Sequence, residues 1–283
     1  MNQAGAATLK QQPWDLWMQQ IQGILRLELK KYFLGRRALI VYLLATAPVA
    51  LLSLGLIVPF PVEALQSMGG TSVLYAVVFR TFFIRLVVFL GCVTIFMNLF
   101  RGEVLERTLH YYLLTPVRRS VLVAGKFTAG VIVTFVLFGV SVILSYIVLF
   151  LPTGLGALQA YFFQGPGLGH LAAYLGITLF ACVGYGALFL LLGLFFRNPI
   201  IPAAVVLGWE SINFLLPPLL KMFSVIYYLE SLCPVAIPEG PVKLLADPAP
   251  LWQSGPGLIA LTALVLWVAT WRLRQMEINY GDD

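Results

Sequence analysis

Residues 38–58 read ALIVYLLATAPVALLSLGLIV, a stretch without a single charge. About 20 apolar residues in a helix cross the ~30 Å hydrocarbon layer of a bilayer. A helix also satisfies its own backbone donors and acceptors there, where no water can do so. The stretch is therefore predicted to be a transmembrane helix. Working outward from it, comparable apolar runs recur at about 77–99, 127–151, 170–196, 200–220 and 251–271, each near the ~20 residues a crossing needs. The composition agrees: 60% of the 283 residues are hydrophobic and 11% charged, against roughly 25% charged in a soluble domain, and mean hydropathy is +0.91. The expected fold is an all-α membrane protein with six transmembrane helices over 38–271.

The side each loop faces follows from Lys and Arg, which accumulate on cytoplasmic flanks. Lys10, Arg26, Lys30, Lys31, Arg36 and Arg37 precede the first run, and Arg101, Arg107, Arg118, Arg119 and Lys126 separate the second from the third. Arg197 separates the fourth from the fifth, Arg272 and Arg274 follow the sixth, and the opposite loops carry only Lys221 and Lys243. Both termini are expected to be cytoplasmic. The net charge of +6 is thus spent on topology, and it does not form the basic face with interleaved aromatics that nucleic acid requires. No cleavable signal peptide is expected, because the first twelve residues hold no apolar core. Cys92 and Cys182 fall inside runs and Cys233 in an external loop, so no disulfide framework is expected.

Between these runs the chain divides further. Residues 1–12 are polar and expected to be disordered. In 13–37, Trp14, Trp17, Met18, Ile21, Leu25 and Leu29 recur at spacings of three and four, the signature of an amphipathic helix. Its Trp and Lys/Arg content suits the headgroup layer, so an interfacial helix is expected to lead into the first span at Gly35. Residues 217–250 open on Pro217 and Pro218, continue with a short apolar stretch, FSVIYYLESL, and are then punctuated by five further prolines. Such a segment is expected to dip into the outer leaflet as a re-entrant element or to cap the bundle. Residues 272–283 form a cytoplasmic tail.

The segment 100–127, FRGEVLERTLHYYLLTPVRRSVLVAGKF, is amphipathic and sits between two apolar runs. Val104, Leu105, Thr108, Leu109, Tyr112 and Leu113 share one helical face, while Glu103, Glu106, Arg107 and His110 lie largely on the other. Pro116 disfavours helical geometry at Thr115 and ends the helix. A helix at 101–115 along the cytoplasmic membrane surface is expected.

Gly102-Glu103, Thr108-Leu109, Leu113, Pro116-Val117, Arg119 and Gly125-Lys126 resemble, in order and spacing, the pattern after the second span in permease subunits of type-2 ABC exporters. Arg107 stands where that family commonly has Gly. The resemblance implies a permease subunit in a bacterial or archaeal-type plasma membrane, working as a dimer with a second copy or a paralogue. It implies that the 101–115 helix is a coupling helix docking into a separate ATPase subunit through Glu103, Glu106, Arg107, Thr108, Leu109, Tyr112, Pro116 and Arg119. ATP and Mg would be bound by that partner, with no cofactor in this chain. The absence of G-x-x-x-x-G-K-[ST] fits this division, because Gly125-Lys126 is followed by Phe127 and Ser120 stands at the first Gly position.

Glu210 lies inside the fifth run beside Trp209 and close to Asn213, and ionisable groups at that depth need a partner or a wet cavity. At ~1.5 Å per residue, Glu210 and Arg85 fall at about 16 and 24 Å from the cytoplasmic edge. Arg85 is therefore expected to pair with Glu210, within a protomer or across a dimer. The alternative has Arg85 snorkelling outward and Glu210 buried as a neutral acid. In the resembled family the first, second and fifth spans line the export route, which would place Arg85, Trp209, Glu210 and Asn213 on it.

A membrane enzyme or a haem anchor is disfavoured, since the two His, His110 and His170, are predicted on opposite sides and cannot share a ligand. An ATP-independent transporter or channel using Glu210 as its ion or proton site is the best rival function. A non-transporting scaffold is the third reading.

Overall fold

In the computed structural model, residues 13–35, 38–57, 67–105, 118–196, 198–235 and 250–275 are described. Among these, helices account for nearly every position. Five are long and apolar enough to cross a membrane: Ala38–Gly55, Met68–Phe100, Arg119–Thr153, Gly167–Phe195 and Trp252–Leu273. The chain is a multi-pass helical membrane protein.

In chain order, α1 is Pro13–Leu34 and α2 is Ala38–Ile57. The second span is compound: α3 is Met68–Val78, a π-helical stretch covers Phe79–Val88, and α4 (Phe89–Phe96) and α5 (Asn98–Leu105) complete it. Then follow α6 (Arg119–Phe150), α7 (Leu155–Phe163), α8 (Gly167–Phe195), α9 (Ile200–Ser211), α10 (Pro218–Lys221), α11 (Val225–Ser231) and α12 (Leu251–Gln275).

Helices in lipid gain little from the hydrophobic effect and associate through close packing at small residues. Here the centre of the bundle is a wedge. The ring of Phe96 on α4 seats on Gly130 of α6 and Gly186 of α8, where an added Cβ would lie 2.6 and 2.5 Å from ring atoms. Ser141 of α6 donates to the Ala45 carbonyl of α2 at 2.5 Å and ties the first span to the third.

α1 packs lengthwise against the start of α6. The Arg118 guanidinium lies 4.7 Å from the Trp17 ring centroid, Ile24 covers Gly125, where an added Cβ would lie 3.2 Å from its side chain, and Tyr32 donates to the Ile95 carbonyl of α4 at 3.3 Å. Partners advance together along α1 and α6, so the helices run in the same direction. The segment expected as an interfacial helix at 13–37 is helical over Pro13–Leu34; it packs mainly on α6, also touches α2 and α4, and leaves Trp14, Met18 and Leu27 exposed.

The fifth predicted span, 200–220, is not one helix. α9 stops at Ser211, a 3-10 turn covers Asn213–Leu215, and α10 holds only four residues. Pro217-Pro218 keeps the chain from resuming that helix: a residue before proline is driven to extended geometry, and Leu216 and Pro217 have ψ of 148° and 155°. Of the expected re-entrant segment, residues 236–249 lie outside the described residues. So do residues 1–12, residues 276–283 of the tail and 106–117 of the elbow. The tail's first residues, 272–275, continue α12.

Candidate functional site

Two groups of charged side chains hold the elements around which a function can be built. The first lies at the end of the bundle that the charge pattern predicts to be cytoplasmic. Lys126 on α6 is fully buried. Its Nζ donates to Glu28 Oε1 of α1 at 2.5 Å and to the Leu99 carbonyl of α5 at 3.0 Å, and it lies 5.3 Å from the Phe100 ring centroid. One ammonium therefore fastens three elements, and a buried charge requires such partners. Arg119, two turns earlier, donates from Nη1 to the Leu273 carbonyl near the end of α12 at 2.6 Å. The start of α6 is thus bonded to α1, α5 and α12.

The elbow predicted to couple begins from this anchor. Glu103 lies in α5; Glu106, Arg107, Thr108, Leu109, Tyr112 and Pro116 lie outside the described residues. Arg119, the predicted coupling residue at the start of α6, has its side chain placed, and it turns into the bundle.

The second group sits where the fifth run breaks. A broken helix frees backbone donors that lipid cannot satisfy. Glu210, at the end of α9 and 5% exposed, meets this need for α11: its carboxylate accepts from the Ser224 hydroxyl at 2.5 Å and from the backbone N–H groups of Val225 and Ile226 at 2.9 and 3.1 Å. It is an N-terminal cap supplied from another helix. α11 in turn packs into the bundle. Ser231 shares a hydrogen bond with Ser254 of α12, Tyr228 covers Gly257, and Val225 lies against Gly184 of α8 and Leu258. Rising numbers on α11 match falling numbers on α12, so α11 runs antiparallel to α12.

Arg85 does not reach Glu210. Its Nη2 bonds Glu230 Oε1 of α11 at 2.7 Å, and Arg80 Nη2 bonds Glu230 Oε2, also at 2.7 Å. The expected Arg85–Glu210 pair is corrected to Arg80–Glu230–Arg85. The physical reason is the break, which folds a second acid to Arg85 and leaves Glu210 occupied by backbone. The π-helical stretch contributes too. Residues five apart on an α-helix point about 140° apart, whereas i→i+5 bonding stacks them, and this lets Arg80 and Arg85 converge on one carboxylate. Sequence reasoning did not single out Glu230; an acid inside the short apolar FSVIYYLESL was the signal available.

Of the other predicted path residues, Trp209 is half-buried on α9. Asn213 is buried in the 3-10 turn, with an Oδ1 that has no partner among the described residues. At the far end of the bundle His170 Nδ1 and Tyr161 Oη are 3.1 Å apart, and Tyr161 Oη is 2.8 Å from Ser72 Oγ.

The fold and these two groups define a multi-pass helical membrane protein with a basic-end clamp and a broken, acid-capped helix. In comparison with known proteins, no family model matches the chain and no curated protein matches it.

Proposed function

We propose that this chain is the permease subunit of an ATP-driven exporter, and that α9, the break and α11 together form a sixth, discontinuous crossing. In this reading the chain carries no ATPase site of its own. A separate ABC ATPase subunit grips the elbow 101–115, two permease copies or paralogues form the route, and both termini are cytoplasmic.

The observation that carries the reading is Lys126. A push on the elbow can do work only if the elbow is rigidly joined to spans, because packed elements shift as units between discrete arrangements. The ammonium bonded to the Leu99 carbonyl and to Glu28 makes that joint, immediately before the segment that the resemblance assigns to coupling. The rival, an ion-gradient transporter using Glu210, is weakened by the geometry. Both Glu210 oxygens are engaged by Ser224, Val225 and Ile226, so ion exchange there would uncap α11.

The test is purification of the tagged chain from its native membrane, followed by ATP hydrolysis and transport in vesicles. A soluble ATPase should copurify, and Leu109→Asp should abolish transport while leaving the protein inserted and ATP hydrolysis running. Transport that tracks an ion gradient and ignores nucleotide would overturn the proposal.

A further inference from the structure

The Arg80–Glu230–Arg85 group has an imbalance that the fold does not explain. Two guanidinium groups meet one carboxylate, and the arginines are the outer layer: their side chains are 34% and 38% exposed, against 17% for Glu230. Among the described residues the other acid nearby is Glu210, which is sealed under α11 by its own three donors. A guanidinium carries five N–H donors in a rigid fork, and in both arginines Glu230 takes a contact through Nη2. What faces outward is therefore a donor-rich cationic surface with its acids behind it.

Depth gives this surface a chemical meaning. Counted from Arg101 at the α-helical rise of ~1.5 Å per residue, with the π-helical turns rising less, Arg85 stands at most about 24 Å and Arg80 at most about 31 Å along the span. The hydrocarbon layer is ~30 Å thick. The pair therefore straddles the level where a lipid phosphate meets its acyl chains. Leu86, one position beyond Arg85, is 41% exposed, and it offers apolar surface beside the cations. Paired arginines favour planar, bidentate recognition of phosphate oxygens.

We propose that Arg80 and Arg85, which converge on Glu230, form a binding site for the phosphate group of an anionic amphiphile, with its acyl chains along Leu86. The site does not depend on the transport reading, since it needs only the α11 packing and the π-helical stretch. It takes one phosphate at the fork, in competition with the Glu230 carboxylate for the guanidinium N–H groups.

The experiment is native mass spectrometry of the full-length protein in mild detergent, titrated with dioleoylphosphatidylglycerol or dioleoylphosphatidylcholine. The phosphatidylglycerol adduct should be retained about tenfold more strongly than the phosphatidylcholine adduct, a difference of ~1.4 kcal/mol. R80Q/R85Q should remove that preference without changing phosphatidylcholine retention. Glu230→Gln, which keeps both cations and deletes the competing anion, should strengthen phosphatidylglycerol binding even if the double variant folds poorly. Equal retention of the two lipids by the native protein, or unchanged phosphatidylglycerol binding in Glu230→Gln, would overturn the site. Displacement of phosphatidylglycerol by millimolar free glycerol phosphate would overturn the lipid source and assign the fork to soluble phosphate esters.

Discussion

Glu210 and Lys126 illustrate how a residue inside an apolar bundle acquires a structural task. Glu210→Leu keeps the approximate volume but strands the Ser224 hydroxyl and the N–H groups of Val225 and Ile226, and each buried unpaired donor costs ~1–3 kcal/mol. A thermal melt in detergent should show a lower midpoint for Glu210→Leu than for Glu210→Gln, which keeps one acceptor. Equal midpoints would contradict the capping role. Lys126 carries a different signature. Lys126→Met leaves Glu28 buried and unpaired, a loss of ~3–5 kcal/mol, whereas replacing both partners by apolar residues recovers much of it. Chemical unfolding should find Glu28→Leu/Lys126→Met more stable than Lys126→Met alone. Additive losses would mean that the pair does not hold α1 to α6.

Among elements, the wedge between α4, α6 and α8 is the tightest contact. Gly186→Val places methyl groups where the Phe96 ring lies, and overpacking of this kind costs ~1–3 kcal/mol. Phe96→Leu in the same background should restore part of the thermal midpoint, and no recovery would argue against a shared cavity. The long apolar helices were legible in the sequence because a run such as 38–58 admits no other solution in lipid. The break after Ser211 was not, because hydropathy averages over 200–220 and registers apolar Pro217 and Pro218 without their effect on the backbone. The ion partners of Arg85 were misjudged for a related reason. Counting along straight helices gives depth alone, and depth favoured Glu210, while the lateral return of α11 that delivers Glu230 leaves no periodicity to read. Lys126 was visible as part of Gly125-Lys126, but Glu28 looked like one polar residue on an amphipathic helix facing the headgroups.

For the whole molecule, the proposed coupling passes movement from a rigid basic end into the spans. α5 leads into the elbow, Lys126 joins α5 to α1 and α6, and Arg119 joins α6 to the Leu273 carbonyl of α12. Under the proposed coupling, a push on residues 101–115 would move several helices at once. The proposed discontinuous crossing of α9 and α11, broken after Ser211, is the element whose halves can shift against each other, because its continuity rests on the three hydrogen bonds of Glu210 in place of a helical ladder. The measurement that tests this account most directly is site-specific cross-linking from a photoreactive residue at position 109 in native membranes, with and without ATP. The account predicts a cross-link to a soluble ATPase subunit whose yield changes with nucleotide. No cross-link to any other chain, or labelling of position 109 by an impermeant reagent added outside intact cells, would contradict it.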